Sequence, residues 1–202
     1  MPSLLHTYKR YRTLQTHRIT VLPVVILMPH SACNCRCVMC DIWKGNGNLQ
    51  QLTLDDIRGL IGSLKELDAR QVVLSGGEAL LNKNFFALCE LLKKEKFIVT
   101  LLSTGLTLKQ HAAALPTAVD EIIVSLDGPE GVHDAIRNIP GAFDKLAAGV
   151  QAILDRAPGF RISGRSVIHR MNFRHWPGII DAAKDIGLRQ ISSCCPPSRK
   201  RV

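Results

Sequence analysis

The sequence predicts an α/β fold in which helices cover a parallel sheet, and three observations support this prediction. Six short runs rich in β-branched residues alternate with helical patterns along the 202 residues. Several of the runs, such as Gln-Val-Val-Leu at 71–74, are almost continuously apolar, which is typical of strands covered on both faces. Regular strand–helix alternation favours parallel neighbours joined by right-handed crossovers. Periodicity alone leaves open whether the sheet is doubly wound or a partial barrel.

The predicted elements follow in chain order. Strands are predicted at 24–28, 71–75, 97–103, 121–126, 161–169 and 188–192. The first helix begins after Thr53, a favourable N-cap, and continues through first-turn acids to Leu67 with apolar residues at helical spacing. Four further helical patterns cover 84–96, 108–115, 143–155 and 175–186, and Gly187 is a typical helix stop.

The charge of the chain is concentrated at its ends. The 26 basic and 17 acidic residues give a net charge of +9, but eight of the basic residues lie in 1–20 and 189–202, which contain no acid. The segment between them holds 18 basic and 17 acidic residues and is therefore almost neutral. This distribution, together with only ten aromatic residues, does not favour an RNA-binding or RNA-modifying protein. No apolar run approaches the roughly 18 residues of a membrane-spanning helix.

The chain contains seven cysteines, and their expected state depends on whether the protein is exported from the cell. An eight-residue apolar run before Cys33 loosely resembles a secretory signal, but Pro23 interrupts it and His30 precedes the supposed cleavage point. Without export, the cysteines are expected to be metal ligands or buried thiols in a reducing environment. The sequence therefore predicts a cytoplasmic protein.

Four of these cysteines stand within eight residues, at 33, 35, 37 and 40. Clustered thiols oxidise readily unless they bind something, so a metal site is expected. Zinc sites usually combine two separated ligand pairs, and the remaining cysteines do not form a suitable second pair. An iron–sulfur cluster fits better, with zinc as the alternative.

Motifs at the ends of other predicted strands extend this site. Gly76-Gly77-Glu78 follows the second strand, Ser103-Thr104-Gly105 closes the third, and 125–128 closes the fourth. Ligands of parallel α/β sheets bind at the carboxyl ends of the strands, so these motifs are expected to lie beside the cysteines.

The spacing C-x₃-C-x₂-C of Cys33, Cys37 and Cys40 resembles the signature of the radical SAM superfamily. The Gly-Gly-Glu element, the Leu-Ser-Thr-Gly at 102–105 and the segment 124–143 are similar to later elements of its molybdenum-cofactor, quinone-cofactor and peptide-modifying branch. The similarity covers about residues 24–192. It implies a partial (β/α)6 TIM-like barrel with parallel strands and an open side near the C-terminus.

The resemblance also implies two cofactors, a [4Fe-4S] cluster and S-adenosylmethionine (SAM). Cys33, Cys37 and Cys40 would ligate three irons, SAM would bind the fourth, and Cys35 is interpreted as a non-ligand. One electron from the cluster would cleave the sulfonium to a 5′-deoxyadenosyl radical, which abstracts hydrogen from a substrate that the sequence does not identify.

Seven further residues are predicted to contact the cofactors: Met39, Gly76, Gly77, Glu78, Ser103, Ser125 and Arg137. The two glycines are expected to let the backbone approach the methionyl group, where a Cβ would obstruct it. Arg137 offers a guanidinium that matches a carboxylate. Asp127 is interpreted as a turn former, and His133 and His169 are interpreted as ordinary residues.

Three segments are expected: a basic segment at 1–20, the radical SAM core at 21–192, and a basic, proline-rich tail at 193–202. The abrupt change after Ile191, with Pro196-Pro197, predicts a truncated or frame-shifted member of the family. The leading hypothesis is an enzyme core supplied with electrons by a flavodoxin or ferredoxin, with neither membrane nor nucleic acid as partner. The alternative is a non-catalytic iron–sulfur- or zinc-binding remnant.

Overall fold

A six-stranded parallel sheet forms the centre of the fold. The computed structural model describes residues 4–195. The strands β1 to β6 stand side by side in chain order, every neighbour parallel. They comprise Val24–Leu27, Gln71–Leu74, Ile98–Ser103, Glu121–Ser125, Ile162–Val167 and Ile191–Cys194. The sheet is open, in agreement with the predicted partial barrel.

Helices α1 to α8 connect and flank these strands. They comprise Leu4–Thr16, Leu54–Glu66, Phe85–Lys94, Leu108–His111, Leu115–Ala118, Glu130–Arg137, Ala142–Leu154 and Trp176–Asp185. Helix α2 begins with the predicted cap, in which Thr53 accepts from the backbone N–H of Asp56 and the Asp56 side chain accepts from that of Thr53. Short 3₁₀ turns lie at Ile42–Gly45, Ala79–Leu81 and Phe173–His175.

The two faces of the sheet have different roles. Leu74, Leu101 and Ile122 occupy one row of the sheet and are fully buried under the helices. On the opposite face, Gln71 donates to Thr100 and to Glu121 near the amino ends of the strands. The helical side therefore forms the apolar core, and the other side carries polar groups.

Two helices were not expected from the sequence. Helix α1 is held by an ion pair between Lys9 and Asp68 and by the Thr20 hydroxyl, which donates to the Lys9 carbonyl at 2.7 Å. Helix α6 is only eight residues long and ends at Asn138, which has a left-handed backbone. Such tertiary contacts and short lengths leave little periodic signal in the sequence.

Most predicted elements differ from the observed ones by one or two terminal residues, and two differ more. The single helix expected at 108–115 is replaced by the two short helices α4 and α5, the second with Pro116 in its first turn. Strand β6 runs to Cys194, which pairs with Val167, two residues beyond the predicted end. Ser193 and Cys194 thus belong to the sheet, and residues 196–202 of the predicted tail lie outside the described residues. Within residues 4–195, no helix is long and apolar enough to cross a membrane.

Candidate active site

A cavity of about 360 Å³ lies at the carboxyl ends of the strands, where the sequence predicted the site. This volume lies within the range of small-ligand pockets. Cys33, Cys37 and Cys40 line it, while Leu102, Ser125 and Val167 contribute from the polar face of the sheet. The six predicted cofactor contacts in its wall are Met39, Gly76, Gly77, Ser103, Ser125 and Arg137.

The loop that carries the cysteines is fixed at its start by the end of β2. The backbone N–H of Glu78 donates to the Ala32 carbonyl at 2.9 Å, immediately before Cys33. A Cβ on Gly77 would lie 2.0 Å from that carbonyl oxygen, so only glycine fits here. Gly76 has φ +110°, and a Cβ there would approach the His30 carbonyl at 3.0 Å.

This packing gives the two glycines a second role besides the predicted approach to a ligand. We expected Gly76 and Gly77 to leave room for a ligand, but the atoms that their side chains would meet belong to the chain around 28–33. Both glycines still line the cavity. Their small size allows the start of the cysteine loop to pack against the end of β2.

The second half of the cysteine loop is fixed by the last turn of α6. The backbone N–H of Arg36 donates to the Arg137 carbonyl at 3.2 Å, and that of Val38 donates to the Ile136 carbonyl at 2.9 Å. These carbonyls are acceptors that a helix leaves unpaired at its end. Cys37, between the two donors, is thereby placed beside the C-terminus of α6.

Hydrogen bonding within the cysteine loop favours thiolates at two positions. The backbone N–H of Cys35 donates to Cys33 Sγ at 3.4 Å. Hydrogen bonding with Cys35 lowers the pKa of Cys33 and lowers that of Cys37 to about 6. The nearby Arg137 guanidinium contributes further to the lowered pKa of Cys37. The same bonds, together with burial, raise the pKa of Cys35. Cys35 is almost fully buried and does not line the cavity, unlike Cys33, Cys37 and Cys40.

Glu78 lies behind the cavity wall and not in it. Its side chain is fully buried. One carboxylate oxygen accepts from Ser103 Oγ at 3.0 Å, from Thr104 N at 2.8 Å and from Thr104 Oγ1 at 2.7 Å, and the other accepts from Leu80 N at 3.2 Å. The carboxylate therefore bridges the ends of β2 and β3, and the predicted direct contact with a cofactor stays a prediction.

Ser103 and Thr104 line the cavity on the side of this bridge. Ser103 was predicted from the sequence as a site residue and Thr104 was not, although both belong to the motif at 102–105. Thr104 Oγ1 also contacts Asn34 Oδ1 at 3.0 Å, inside the cysteine loop. Thr104 therefore connects the Glu78 carboxylate with the loop that carries the thiols.

Arg137 forms a buried ion pair with Asp127 beside Cys37. The second guanidinium nitrogen, Nη1, lies 3.6 Å from Cys37 Sγ, and Nε has no partner among the described residues. Asp127 is fully buried and accepts from Val167 N at 2.9 Å and from Ser166 Oγ at 3.4 Å. The interpretation of Asp127 as a turn former is wrong, because these long-range partners decide its position.

The two histidines have structural contacts. The His133 ring is fully buried against Phe143, and its Nδ1 accepts from Asp127 N at 3.2 Å. Burial, and to a smaller extent the charge of Arg137, lowers the pKa of His133 to about 4. His169 accepts from Met171 N at 3.4 Å. Neither residue lines the cavity.

Cys194 and Cys195 also line the cavity, although the sequence analysis did not assign them to the site. Strand β6 carries Cys194 on the same face as Val167, which brings it to the common edge. No signal in the sequence distinguished this pair from the tail that follows it.

The donor chemistry around the cavity fits an iron–sulfur cluster. Three cysteines share one wall, and hydrogen bonds favour the thiolate at two of them. Within residues 4–195, no three His, Cys, Asp or Glu side chains are arranged to hold a single metal ion. The fit therefore rests on the thiol donors and the shared cavity.

Comparisons with known proteins identify relatives of the chain. It is 26% identical over 174 residues to the pre-heme d1 synthase of Dinoroseobacter shibae, covering 85% of this chain and 43% of that protein. It is 28% identical over 167 residues to the Fe-coproporphyrin III synthase of Methanosarcina barkeri, covering 81% and 41% of the two chains. The chain thus spans less than half of each relative.

A solved structure shows the same fold. The SuiB protein of Streptococcus suis bound to S-adenosylmethionine superposes with a TM-score of 0.72 at 12% identity, covering 95% of this chain and 44% of SuiB. Residues 27–183 match the Radical SAM superfamily, whose members use a [4Fe-4S] cluster and SAM. With this match over most of its length, the chain belongs to the radical SAM superfamily.

Proposed function

We propose that this chain is the catalytic core of a radical SAM enzyme, with Cys33, Cys37 and Cys40 as the cluster ligands. The observation that carries the proposal is the cavity at the carboxyl edge, which these three thiols share with the predicted cofactor contacts. Together, the bound cluster and SAM supply reductive cleavage of the sulfonium and a 5′-deoxyadenosyl radical that abstracts hydrogen.

The residues of the chain bind and orient these groups. Hydrogen bonding with Cys35 supports the thiolates at 33 and 37, and Cys35 itself is not a ligand. Met39 and Ser125 line the cavity and are proposed to contact the nucleoside part of SAM. The unpartnered Nε of Arg137 leaves one donor for the methionyl carboxylate.

In this proposal Glu78 acts on SAM through the residues that it orients and does not contact SAM itself. Its carboxylate orients the hydroxyls of Ser103 and Thr104, which line the cavity. Glu78 is therefore proposed as a positioning residue and Ser103 as the contact.

The names of the relatives support an enzyme over a non-catalytic remnant, since both are synthases. We propose a one-electron donor of the flavodoxin or ferredoxin type and a cytoplasmic location, in keeping with the reduced cysteines. The substrate of the whole protein is left unassigned.

Anaerobic reconstitution tests the proposal. The chain is loaded with iron and sulfide, reduced with dithionite in the presence of SAM, and assayed for methionine and 5′-deoxyadenosine. We expect about four irons per chain and release of both products. A colourless protein that instead binds stoichiometric zinc would contradict the proposal and support the remnant.

Single substitutions test the ligand assignment. Cys37→Ala is expected to lose the stable four-iron cluster and product release. Cys35→Ala, the matched control within the same loop, is expected to retain the full iron content. Equal iron loss in both variants would show that the assignment of Cys35 is wrong.

A further inference from the structure

The environment of Cys37 contains a charge arrangement that ligation alone does not require. Arg137 is 6% exposed and is the last residue of α6. Its Nη1 donates to Cys37 Sγ at 3.6 Å, while Nη2 is paired with the fully buried Asp127. A cation therefore lies against the sulfur of a proposed ligand, and its counterion Asp127 is paired with the other terminal nitrogen.

The backbone keeps this arrangement in place. Carbonyls at the end of α6 accept from the N–H groups on both sides of Cys37. On the other side, Asp127 is held by the N–H of Val167 at the end of β5. The guanidinium is thus fixed between a strand end and the cysteine loop, with little freedom to leave the sulfur.

A buried positive charge beside a ligand sulfur affects the electron affinity of a cluster. Reduction adds one electron to a group that is already negatively charged through its thiolates, and no bond breaks in that step. A nearby cation and a hydrogen bond to sulfur stabilise the added charge, and low solvent exposure keeps the interaction strong. The Asp127 carboxylate opposes the effect, but it contacts the guanidinium and has no hydrogen bond to Cys37 among those of the described residues.

We propose that Arg137 raises the reduction potential of the cluster through Cys37, and that Asp127 holds Arg137 in position and moderates its charge. This inference rests on the proposed function. It assigns to Arg137 an effect that operates without SAM and is therefore separate from any contact with the methionyl carboxylate.

The test is a redox titration of the reconstituted chain without SAM, followed by the EPR signal of the reduced cluster. Arg137→Gln is expected to shift the midpoint potential to a more negative value. Asp127→Asn, which leaves the guanidinium uncompensated, is expected to shift it to a more positive value. Shifts of opposite sign in the two variants indicate a charge effect. A structure that is merely loosened would not change the potential in a direction that depends on the sign of the charge removed.

Arg36→Gln is the matched control. Arg36 precedes Cys37 in the chain, but its side chain is exposed, so water and salt screen its charge. We expect a smaller shift than for Arg137→Gln. If Arg36→Gln and Arg137→Gln shift the potential equally, burial of the guanidinium has no role and the inference is overturned.

The double variant Arg137→Gln/Asp127→Asn controls for misfolding of the two single variants. Replacing both members of a buried ion pair by neutral groups is much better tolerated than removing one. Its potential is expected between those of Arg137→Gln and the unsubstituted chain. A potential unchanged in all three site variants overturns the inference alone, whereas failure of the unsubstituted chain to take up iron overturns the proposed function as well.

Discussion

Replacing Gly77 by alanine tests how the cysteine loop is held. The new Cβ would lie 2.0 Å from the Ala32 carbonyl oxygen, 2.4 Å from its carbon and 2.9 Å from Cys33 N. An ordinary contact begins near 3.4 Å, so the start of the cysteine loop must move by about 1.4 Å. All of these neighbours are backbone atoms, which cannot move aside by a change of rotamer.

The expected loss of stability has two parts. Overpacking costs about 1–3 kcal/mol in a well-packed region. The displacement also strains the bond from Glu78 N to the Ala32 carbonyl, worth about 1 kcal/mol. We therefore expect the free energy of unfolding to fall by about 3 kcal/mol and Cys33 to be displaced from the cavity.

Chemical denaturation of the cluster-free chain measures the first effect, and iron content after reconstitution measures the second. Gly62→Ala is the control, since no atom of the described residues lies within 4 Å of its added Cβ on α2. It is expected to stabilise the chain by up to about 1 kcal/mol because alanine favours the helix. If Gly77→Ala retains both the stability and the full iron content, the proposed packing of the loop against β2 is refuted.

Two further predictions concern buried ionisable groups. Glu78→Gln places an amide among the donors at the end of β3 and is expected to lower the free energy of unfolding by about 2–4 kcal/mol. The control is Glu90→Gln, on the exposed face of α3. In the same denaturant titration it should change the free energy of unfolding by less than about 0.5 kcal/mol. Because the pKa of His133 is lowered from 6.5 to about 4, the unfolded chain binds a proton that the folded chain does not, so stability should fall by about 2 kcal/mol from pH 7 to pH 5. His133→Gln should remove this part of the pH dependence and the exposed His175→Gln should not; an unchanged slope in His133→Gln would contradict the buried, neutral imidazole.

Local patterns in the sequence were sufficient for the sheet and for the position of the site. Short runs rich in β-branched residues predicted all six strands, and several of these runs are almost continuously apolar, as expected for strands buried on both faces. Motifs that follow those strands had to converge, since parallel strands end at one edge. Helix α6 was missed, because its eight residues are fewer than the roughly 10–12 over which a helical pattern is recognised.

The roles of individual residues within the site depended on partners distant in the chain. The local sequence of Glu78 predicts a ligand contact, but its carboxylate accepts from Thr104 N on the neighbouring strand end. The local sequence of Asp127 predicts a turn, but its carboxylate accepts from Val167 N, which the sheet brings beside it. The sequence by itself determined the cysteine signature, the alternation of strands and helices, and the edge at which they meet. Only the tertiary structure decided that Glu78 lies behind the cavity wall and that Arg137 lies against Cys37, because the energy of a buried charge depends on which groups surround it in space.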